Sequence, residues 1–312
     1  MWDTPEVPRL QPLLKRLLFS LLVFVVTGEA VLRVAYRDQG RRTGYGPGFH
    51  PFEYVNKDAN HRGSFDTGPK TPGVPRIMVI GDSITYGQAV RDWRDLWPEI
   101  MVNRLRANGR PHELAVVAES GHNLSEDLRD FDRWVGQIEP DILVYQFFVN
   151  DIDIWEDREL NVTRWWQRSP WHQELRASYL YFVLDFALSK HLPPVEGTYT
   201  DYLLTRFAPG TLEGEAFEHQ FRTFRAHAGA RVLERWMVMY PLLPFTGDYP
   251  LQPLHDRVRA LAESDGFRVV DPTRRLNSFN TYVSLFDGHP NERAQRVVGE
   301  AMAEALLAAG HP

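Results

Sequence analysis

Five short runs of apolar residues, separated by segments with helical periodicity, constrain the fold of this 312-residue chain more than any other feature. The runs lie at 77–80, 114–118, 141–149, 236–240 and 267–270. Continuous apolar runs of this length are typical of strands that are buried on both faces of a parallel sheet. The helical segments lie at 93–107, 123–138, 213–228, 251–264 and 291–309. This alternation predicts an α/β fold, a three-layer, flavodoxin-like domain with a five-stranded parallel sheet.

Two segments fall outside this alternation. Residues 152–211 carry many Trp and Tyr residues among prolines and charges. They predict a helical insertion whose aromatic side chains either pack on one another or shape a substrate cleft or partner surface. Residues 38–75 are rich in Gly, Pro, Asn, Arg and Asp and lack a sustained period, so they predict a linker or strap. The main domain is then expected at 76–312.

The N-terminal segment, 1–37, differs in composition from the rest. Lys15 and Arg16 precede an uncharged apolar run at 17–28, and apolar neighbours on both sides extend it to about the ~20 residues that a membrane span needs. Three interpretations are open: a membrane anchor with its basic end inside, a signal peptide cleaved near the small residues Gly28 and Ala30, or an interfacial or buried amphipathic helix. The first two place the main domain outside the cytoplasm of a bacterial envelope, either membrane-anchored or secreted.

Charge and cysteine content exclude several classes of function. The net charge is -6, so the chain has no general attraction for nucleic acid. With 0 cysteines, disulfides, cysteine nucleophiles and thiolate metal sites are excluded. The histidines show no metal-ligand spacing, and we expect neither a metal nor a cofactor.

Polar residues and a glycine follow the predicted strands. Ser83 comes after the first apolar run, Gly121 after the second and Asn150 after the third, while Asp287 and His289 come just before the last helix. Because the carboxyl ends of parallel strands meet at one edge of a sheet, we expect these residues to lie close together.

Acyl transfer needs these chemical groups. A serine hydroxyl becomes a nucleophile when a histidine accepts its proton, and a carboxylate orients that histidine. Ser83, His289 and Asp287 fit those three roles in that order. An oxyanion hole needs positioned donors, for which the N–H groups of Ser83 and Gly121 and the Asn150 carboxamide are candidates.

Each of these residues also has a simpler interpretation. The loop at 81–87 could bind a phosphate at a helix N-terminus, although Asp82 would repel one. His289 could be a residue at the start of the last helix, and Asn150 a turn residue.

The four blocks together resemble the SGNH, or GDSL, hydrolases, a family of esterases and lipases named for a Ser, Gly, Asn and His. The sequence IMVIGDSITYG at 77–87 looks like the first block, with Ser83 as nucleophile. Gly121, Asn150 and the pair Asp287 and His289 match the other blocks. The resemblance covers about 76–310, and the N-terminal helix is similar to that of envelope-anchored members.

Two positions depart from the family pattern. The third block usually has a glycine where this chain has Val149. The last block usually places two residues between Asp and His, whereas here only Gly288 intervenes. Either Asp287 contacts the His289 ring with altered geometry, or a backbone carbonyl orients the ring.

The resemblance implies a serine-dependent ester hydrolase that forms an acyl-enzyme and needs no cofactor. Its ester substrate would be an acylated glycan, a lipid or a small acyl ester. The alternative is a non-catalytic module of the same fold that binds an envelope glycan or lipid, which the irregular spacing of Asp287 and His289 motivates.

Overall fold

The main body of the protein is a parallel sheet with helices on both faces. The structure, a computed structural model, describes residues 10–35, 54–152, 166, 169–191, 199–243, 245, 247–277, 280–284 and 287–310. The sheet strands are β1 (Arg76–Gly81), β2 (Glu113–Ala118), β3 (Ile142–Phe147), β4 (Glu234–Met239) and β5 (Arg268–Val270). All neighbours pair in parallel, in the order β2-β1-β3-β4-β5. This order confirms the predicted flavodoxin-like fold.

A two-stranded antiparallel ribbon, β6 (Tyr282–Ser284) and β7 (Asp287–Pro290), lies outside the main sheet. This ribbon was not predicted from the sequence, because strands of three and four residues are too short to show a periodicity. The helices are α1 (Leu10–Ala35), α2 (Ser83–Tyr86), α3 (Trp97–Ala107), α4 (Leu124–Ile138), α5 (His172–Leu175), α6 (Tyr179–His191), α7 (Tyr199–Arg206), α8 (Leu212–Gly229), α9 (Gln252–Ser264), α10 (Thr273–Leu276) and α11 (Glu292–Ala308).

Strand β1 shows why the apolar runs are continuous. Ile77 and Val79 pack in the cluster formed with α3 and α11, whereas Met78 and Ile80 pack in the cluster formed with α4, α8 and α9. Side chains alternate across a strand, so a strand covered on both faces needs apolar residues at every position. All four side chains are fully buried.

The predicted helix at 93–107 is interrupted. A 3₁₀ turn, Trp93–Asp95, is followed by the extended residue Leu96, and α3 begins at Trp97. Pro98 is the physical reason, because it lacks an N–H group and its ring would clash with the carbonyl of Arg94 in a continuous helix.

Helix α1 is exposed along its apolar length. Among the described residues one helix, Leu14–Ala35, is long and apolar enough to cross a membrane; its mean hydropathy is 2.1 and 0% of it is buried. A signal sequence has the same properties, but the exposure contradicts the interpretation as a buried amphipathic helix. Of the insertion, α5, α6 and α7 are described and confirm its helical character, whereas Trp155 and Trp165 lie outside the described residues.

The described part of the predicted strap, residues 54–75, packs on the main domain. Phe65 forms an antiparallel bridge with Ala115 of β2. The Ser64 N–H and hydroxyl donate to the Glu99 carboxylate at 2.6 and 3.1 Å. These contacts join the strap to β2 and α3.

Candidate active site

Ser83 lies at the sharp turn between β1 and α2. The Asp82 carboxylate caps α2 by accepting the Ile84 N–H at 2.9 Å, and Ser83 is 8% exposed. A side chain at Gly81 would place its Cβ 2.5 Å from Gln146 Oε1, so only glycine fits the tight packing under the turn. The turn therefore presents the Ser83 hydroxyl at the carboxyl edge of the sheet. It also places a carboxylate at the helix N-terminus, which argues against the phosphate-binding interpretation.

His289 and Asp287 lie on β7 and face Ser83. His289 Nε2 is 3.0 Å from Ser83 Oγ, and His289 Nδ1 is 2.6 Å from Asp287 Oδ1. The His289 N–H also donates to Asp287 Oδ1 at 2.9 Å. Residues two apart in an extended strand project from the same face, so a single intervening residue brings the carboxylate to the ring. The structure thus brings the three predicted side chains into one hydrogen-bonded chain.

Gly121 and Asn150 lie on neighbouring loops of the same edge. Gly121 follows β2 with φ +87, a left-handed conformation that favours glycine. Asn150 lies in the 3₁₀ turn Val149–Ile152 after β3, and its Nδ2 donates to the His122 carbonyl at 2.9 Å. This bond ties the two loops that carry the predicted oxyanion donors.

Three carboxyl groups are buried beside these loops. Asp82, Asp127 and Asp151 are each 1% exposed or less. Asp151 accepts the Phe148 N–H at 2.7 Å, and Asp82 accepts the Ile84 N–H, as expected for residues that stabilise loops. Burial raises the pKa of all three, that of Asp127 to about 7, and the carboxyls raise the pKa of Asp151 further by mutual repulsion.

His122 connects this buried group to the surface. Its ring lies 3.8 Å from Asp127, 3.5 Å from Asp130 and 3.4 Å from Glu119. The nearby Asp127 carboxyl is the main cause that raises the pKa of His122. Sequence reasoning missed both His122 and Asp127. The sequence signal that could have indicated both residues is the capping box of Asn123 and Glu126, because it fixes the start of α4 beside His122 and Asp127.

Arg62 of the strap also supports the turn between β1 and α2. It is 7% exposed, and its guanidinium donates to the carbonyls of Tyr86 at 2.9 Å and Gly87 at 3.3 Å and to the carbonyl of Val90. The guanidinium also lies 4.2 Å from the centre of the Tyr54 ring. Arg62 thereby satisfies the carbonyl groups where α2 ends.

The model of the GDSL-like Lipase/Acylhydrolase family matches residues 79–297, which is more than half of the chain. No significant match is found among curated proteins. Among solved structures the chain is similar to TesA, with 14% identity over 74% of this chain and 97% of that chain and a TM-score of 0.49.

Two further solved structures are similar to the chain. The psychrotrophic esterase EstA from Pseudoalteromonas sp. has 12% identity over 75% of this chain and 98% of its own, with a TM-score of 0.45. A catalytic mutant of Axe2, an acetylxylan esterase from Geobacillus stearothermophilus, has 15% identity over 76% of this chain and 95% of its own, with a TM-score of 0.43.

Proposed function

The chain belongs to the GDSL-like lipase/acylhydrolase family and is a hydrolase that acts on ester bonds, and we propose that Ser83 is its nucleophile. The observation that carries this proposal is the continuous set of contacts from Ser83 Oγ to His289 Nε2 at 3.0 Å and from His289 Nδ1 to Asp287 Oδ1 at 2.6 Å. Asp287 orients the ring so that Nε2 can accept the serine proton.

The proposed reaction has two stages. Ser83 Oγ attacks the ester carbonyl while His289 accepts its proton, and the resulting oxyanion binds the N–H groups of Ser83 and Gly121 and the Asn150 amide. The intermediate collapses, His289 donates the proton to the leaving alcohol, and an acyl group stays on Ser83. Water, deprotonated by His289, then attacks the acyl-enzyme, and the acid leaves as Ser83 recovers its proton. The substrate is an acylated glycan, a lipid or a small acyl ester.

We further propose a division of the chain into an N-terminal anchor at 1–37, a strap at 38–75 and a catalytic domain at 76–312. Lys15 and Arg16 keep the start of α1 on the cytoplasmic side, so the catalytic domain lies on the extracytoplasmic face of a bacterial membrane. The apolar, exposed surface of α1 supports this arrangement.

A covalent serine probe tests the proposed nucleophile. A fluorophosphonate should label the wild-type protein and fail to label Ser83→Ala. Ser120→Ala is a matched control, because this exposed serine at the same sheet edge hydrogen-bonds Gln88 at 3.2 Å and has no contact with His289. Equal labelling of wild type and Ser83→Ala would contradict the proposal. A wild-type protein that is never labelled, but binds glycan or lipid, would favour the non-catalytic module.

A further inference from the structure

The carboxylate of Glu29, near the end of α1, caps the first turn of the insertion helix α6. Glu29 Oε2 accepts the Ser178 hydroxyl at 2.8 Å and the Leu180 N–H at 2.9 Å, and Oε1 accepts the Tyr179 N–H at 3.1 Å. The first N–H groups of a helix lack partners within the helix, and an anion there is also stabilised by the helix dipole. A helix cap is normally a neighbouring residue, whereas this one comes from a distant helix.

Helices α1 and α6 lie side by side in opposite directions where they meet. Arg33 donates to the Ala177 carbonyl at 3.3 Å, and its guanidinium lies 5.3 Å from the centre of the Tyr179 ring. Closer to the start of α1, the Leu180 side chain lies against Gly28, 3.6 Å from where a Cβ would be. Residues further along α6 therefore contact residues nearer the start of α1. From its capped end, α6 points back towards the start of α1.

The outer face of α6 is apolar and exposed. Leu184 and Leu188 are 49% and 47% exposed, and residues four apart lie on the same face of a helix. Leu175 and Trp171, just before α6, are 47% and 69% exposed. Asp185, the acidic residue next to Leu184 in the sequence, bonds within the insertion: its carboxylate accepts the Trp166 indole N–H at 2.8 Å.

These exposed leucines follow the end of α6 that Glu29 of α1 caps, and α1 itself is apolar and exposed. Phe24 of α1 is 63% exposed and Val31 is 59% exposed. An isolated exposed leucine needs no explanation, but an apolar helix face beside a membrane-spanning helix shares its solvent. In the proposed anchor, hydrocarbon covers the apolar residues of α1, and a helix that starts beside the outer end of the span and points back along it meets the same hydrocarbon.

We propose that α6 is a second membrane-contacting helix, with Leu184 and Leu188 facing the acyl chains of the outer leaflet while Glu29 of α1 holds the start of the helix. The Glu29 and Arg33 pair, 2.7 Å apart, marks the outer end of the span. The protein is then fixed to the membrane by two helices rather than by a flexible tether. This inference rests on the proposed anchor and is independent of the proposed esterase mechanism.

Site-specific fluorescence measures what covers α6. The chain has 0 cysteines, so Leu184→Cys and Leu188→Cys each provide a unique site for an environment-sensitive label in the full-length protein. The labelled protein is placed in phosphatidylcholine nanodiscs, with aqueous iodide as one quencher and doxyl-labelled phosphatidylcholine as the other. Leu233→Cys is the control, because Leu233 is 89% exposed and lies just before β4, at the opposite edge of the sheet from Ser83.

An apolar face covered by acyl chains is shielded from water, so we expect an iodide quenching constant roughly fivefold lower at 184 and 188 than at 233. The doxyl lipid should quench 184 and 188 and leave 233 unaffected. Iodide quenching equal to that at 233 would overturn the proposal. Protection from both quenchers would also overturn it, because a protein surface and not lipid would then cover the helix.

Two substitutions of Glu29 test its role as the cap. Glu29→Ala removes every acceptor and should raise iodide quenching at 184 at least twofold, whereas Glu29→Gln keeps a carbonyl oxygen and should give an intermediate value. Quenching at 233 and the circular dichroism spectrum should not change, which shows that the fold is intact. Unchanged quenching at 184 in Glu29→Ala would refute the capping role. If Glu29→Ala does not fold, the label measurements in the otherwise unchanged protein still decide whether α6 contacts lipid.

Discussion

The contact between Asp287 and His289 depends on the backbone conformation of the residue between them. In a helix or a tight turn, residues two apart face different directions, but in the extended strand β7 they project from one face. The one-residue spacing, which left two alternatives open at the sequence level, therefore places the carboxylate 2.6 Å from the ring. The shorter spacing between Asp287 and His289 is therefore compatible with a contact between carboxylate and ring, because the backbone between them is extended.

Asn150→Ala should impair turnover far more than folding. Loss of one oxyanion donor reduces kcat about 10²–10³-fold. Loss of the hydrogen bond from Asn150 to the His122 carbonyl should lower the free energy of unfolding by only about 1 kcal/mol. The measurements are kcat on a short acyl ester and the urea midpoint.

Asn103→Ala is the control for Asn150→Ala, since Asn103 is exposed on α3. Asn103→Ala should leave kcat and the urea midpoint unchanged. If kcat of Asn150→Ala stays within a factor of two of wild type, Asn150 is not an oxyanion donor.

The buried carboxyl of Asp127 should make stability depend on pH. Burial raises its pKa to about 7 from an ordinary value of 3.8, so between these pH values the folded protein binds a proton that the unfolded chain has lost. The neutral Asp127 carboxyl is therefore compatible with the folded state at low pH. As the pH rises from 3.8 towards 7, Asp127 lowers the free energy of unfolding, with a slope of at most about 1.4 kcal/mol per pH unit.

Asp127→Asn cannot ionise, so its stability relative to wild type should increase as the pH rises from 5 to 7. The measurement is the urea midpoint of the detergent-solubilised protein at several pH values. Glu263→Gln, an exposed carboxyl on α9, is the control and should show a constant difference. A constant difference for Asp127→Asn as well would show that burial does not keep this carboxyl protonated.

The turn from β1 to α2 is the element on which the site depends most. It joins a buried strand to a four-residue helix, and it is packed against Gln146 of β3 from one side and bonded by Arg62 of the strap from the other. Helix α2 is too short to be stable alone, so these tertiary contacts position Ser83.

Gly81→Ala should destabilise the protein. The new Cβ would lie 2.5 Å from Gln146 Oε1 and 2.6 Å from Thr85 Oγ1, both in the interior. Overpacking of this kind typically costs about 1–3 kcal/mol, and it should also displace Ser83 and lower kcat. Chemical denaturation measures the first effect, and hydrolysis of a short acyl ester the second.

Gly136→Ala is the matched control for Gly81→Ala. Gly136 lies in α4, and a Cβ there would meet nothing within 4 Å. Alanine is more favourable than glycine within a helix by about 1 kcal/mol, so this substitution should stabilise the protein. Equal effects of the two substitutions would contradict the packing argument at Gly81.

At the scale of the whole molecule, segments from outside the sheet stabilise both the site and the insertion. The strap bonds to the turn between β1 and α2 through Arg62, and α1 caps α6 through Glu29. Proteolytic removal of α1 near Gly28 and Ala30 would take the Glu29 cap away from α6.

We therefore expect the mature protein to retain α1. Intact-mass spectrometry of the protein extracted from membranes should give a chain that still contains the first thirty residues, and washing with high salt should not release it. A soluble product that begins after Ala30 would contradict both the anchor and the cap.

The periodicity of the sequence was sufficient to predict the five-stranded sheet, most of its helices and the sheet edge at which the predicted site residues lie. Buried strands and amphipathic helices are local patterns, and parallel topology brings the loops after β1, β2 and β3 together. Ser83, Gly121, Asn150, Asp287 and His289 could be proposed as site residues because their order along the chain matches four family blocks.

Other features were decided only by the tertiary structure. The pKa shifts of Asp82, Asp127 and Asp151 arise because three segments that are distant in sequence bury their carboxyl groups together. No pattern along the chain shows that these segments meet. Glu29 bonds to the start of α6, and Arg62 bonds to the turn between β1 and α2; these bonds likewise join residues that are far apart in sequence. Local patterns determine which elements form, because backbone geometry and burial repeat within a few residues. Which side chains meet depends on how those elements pack.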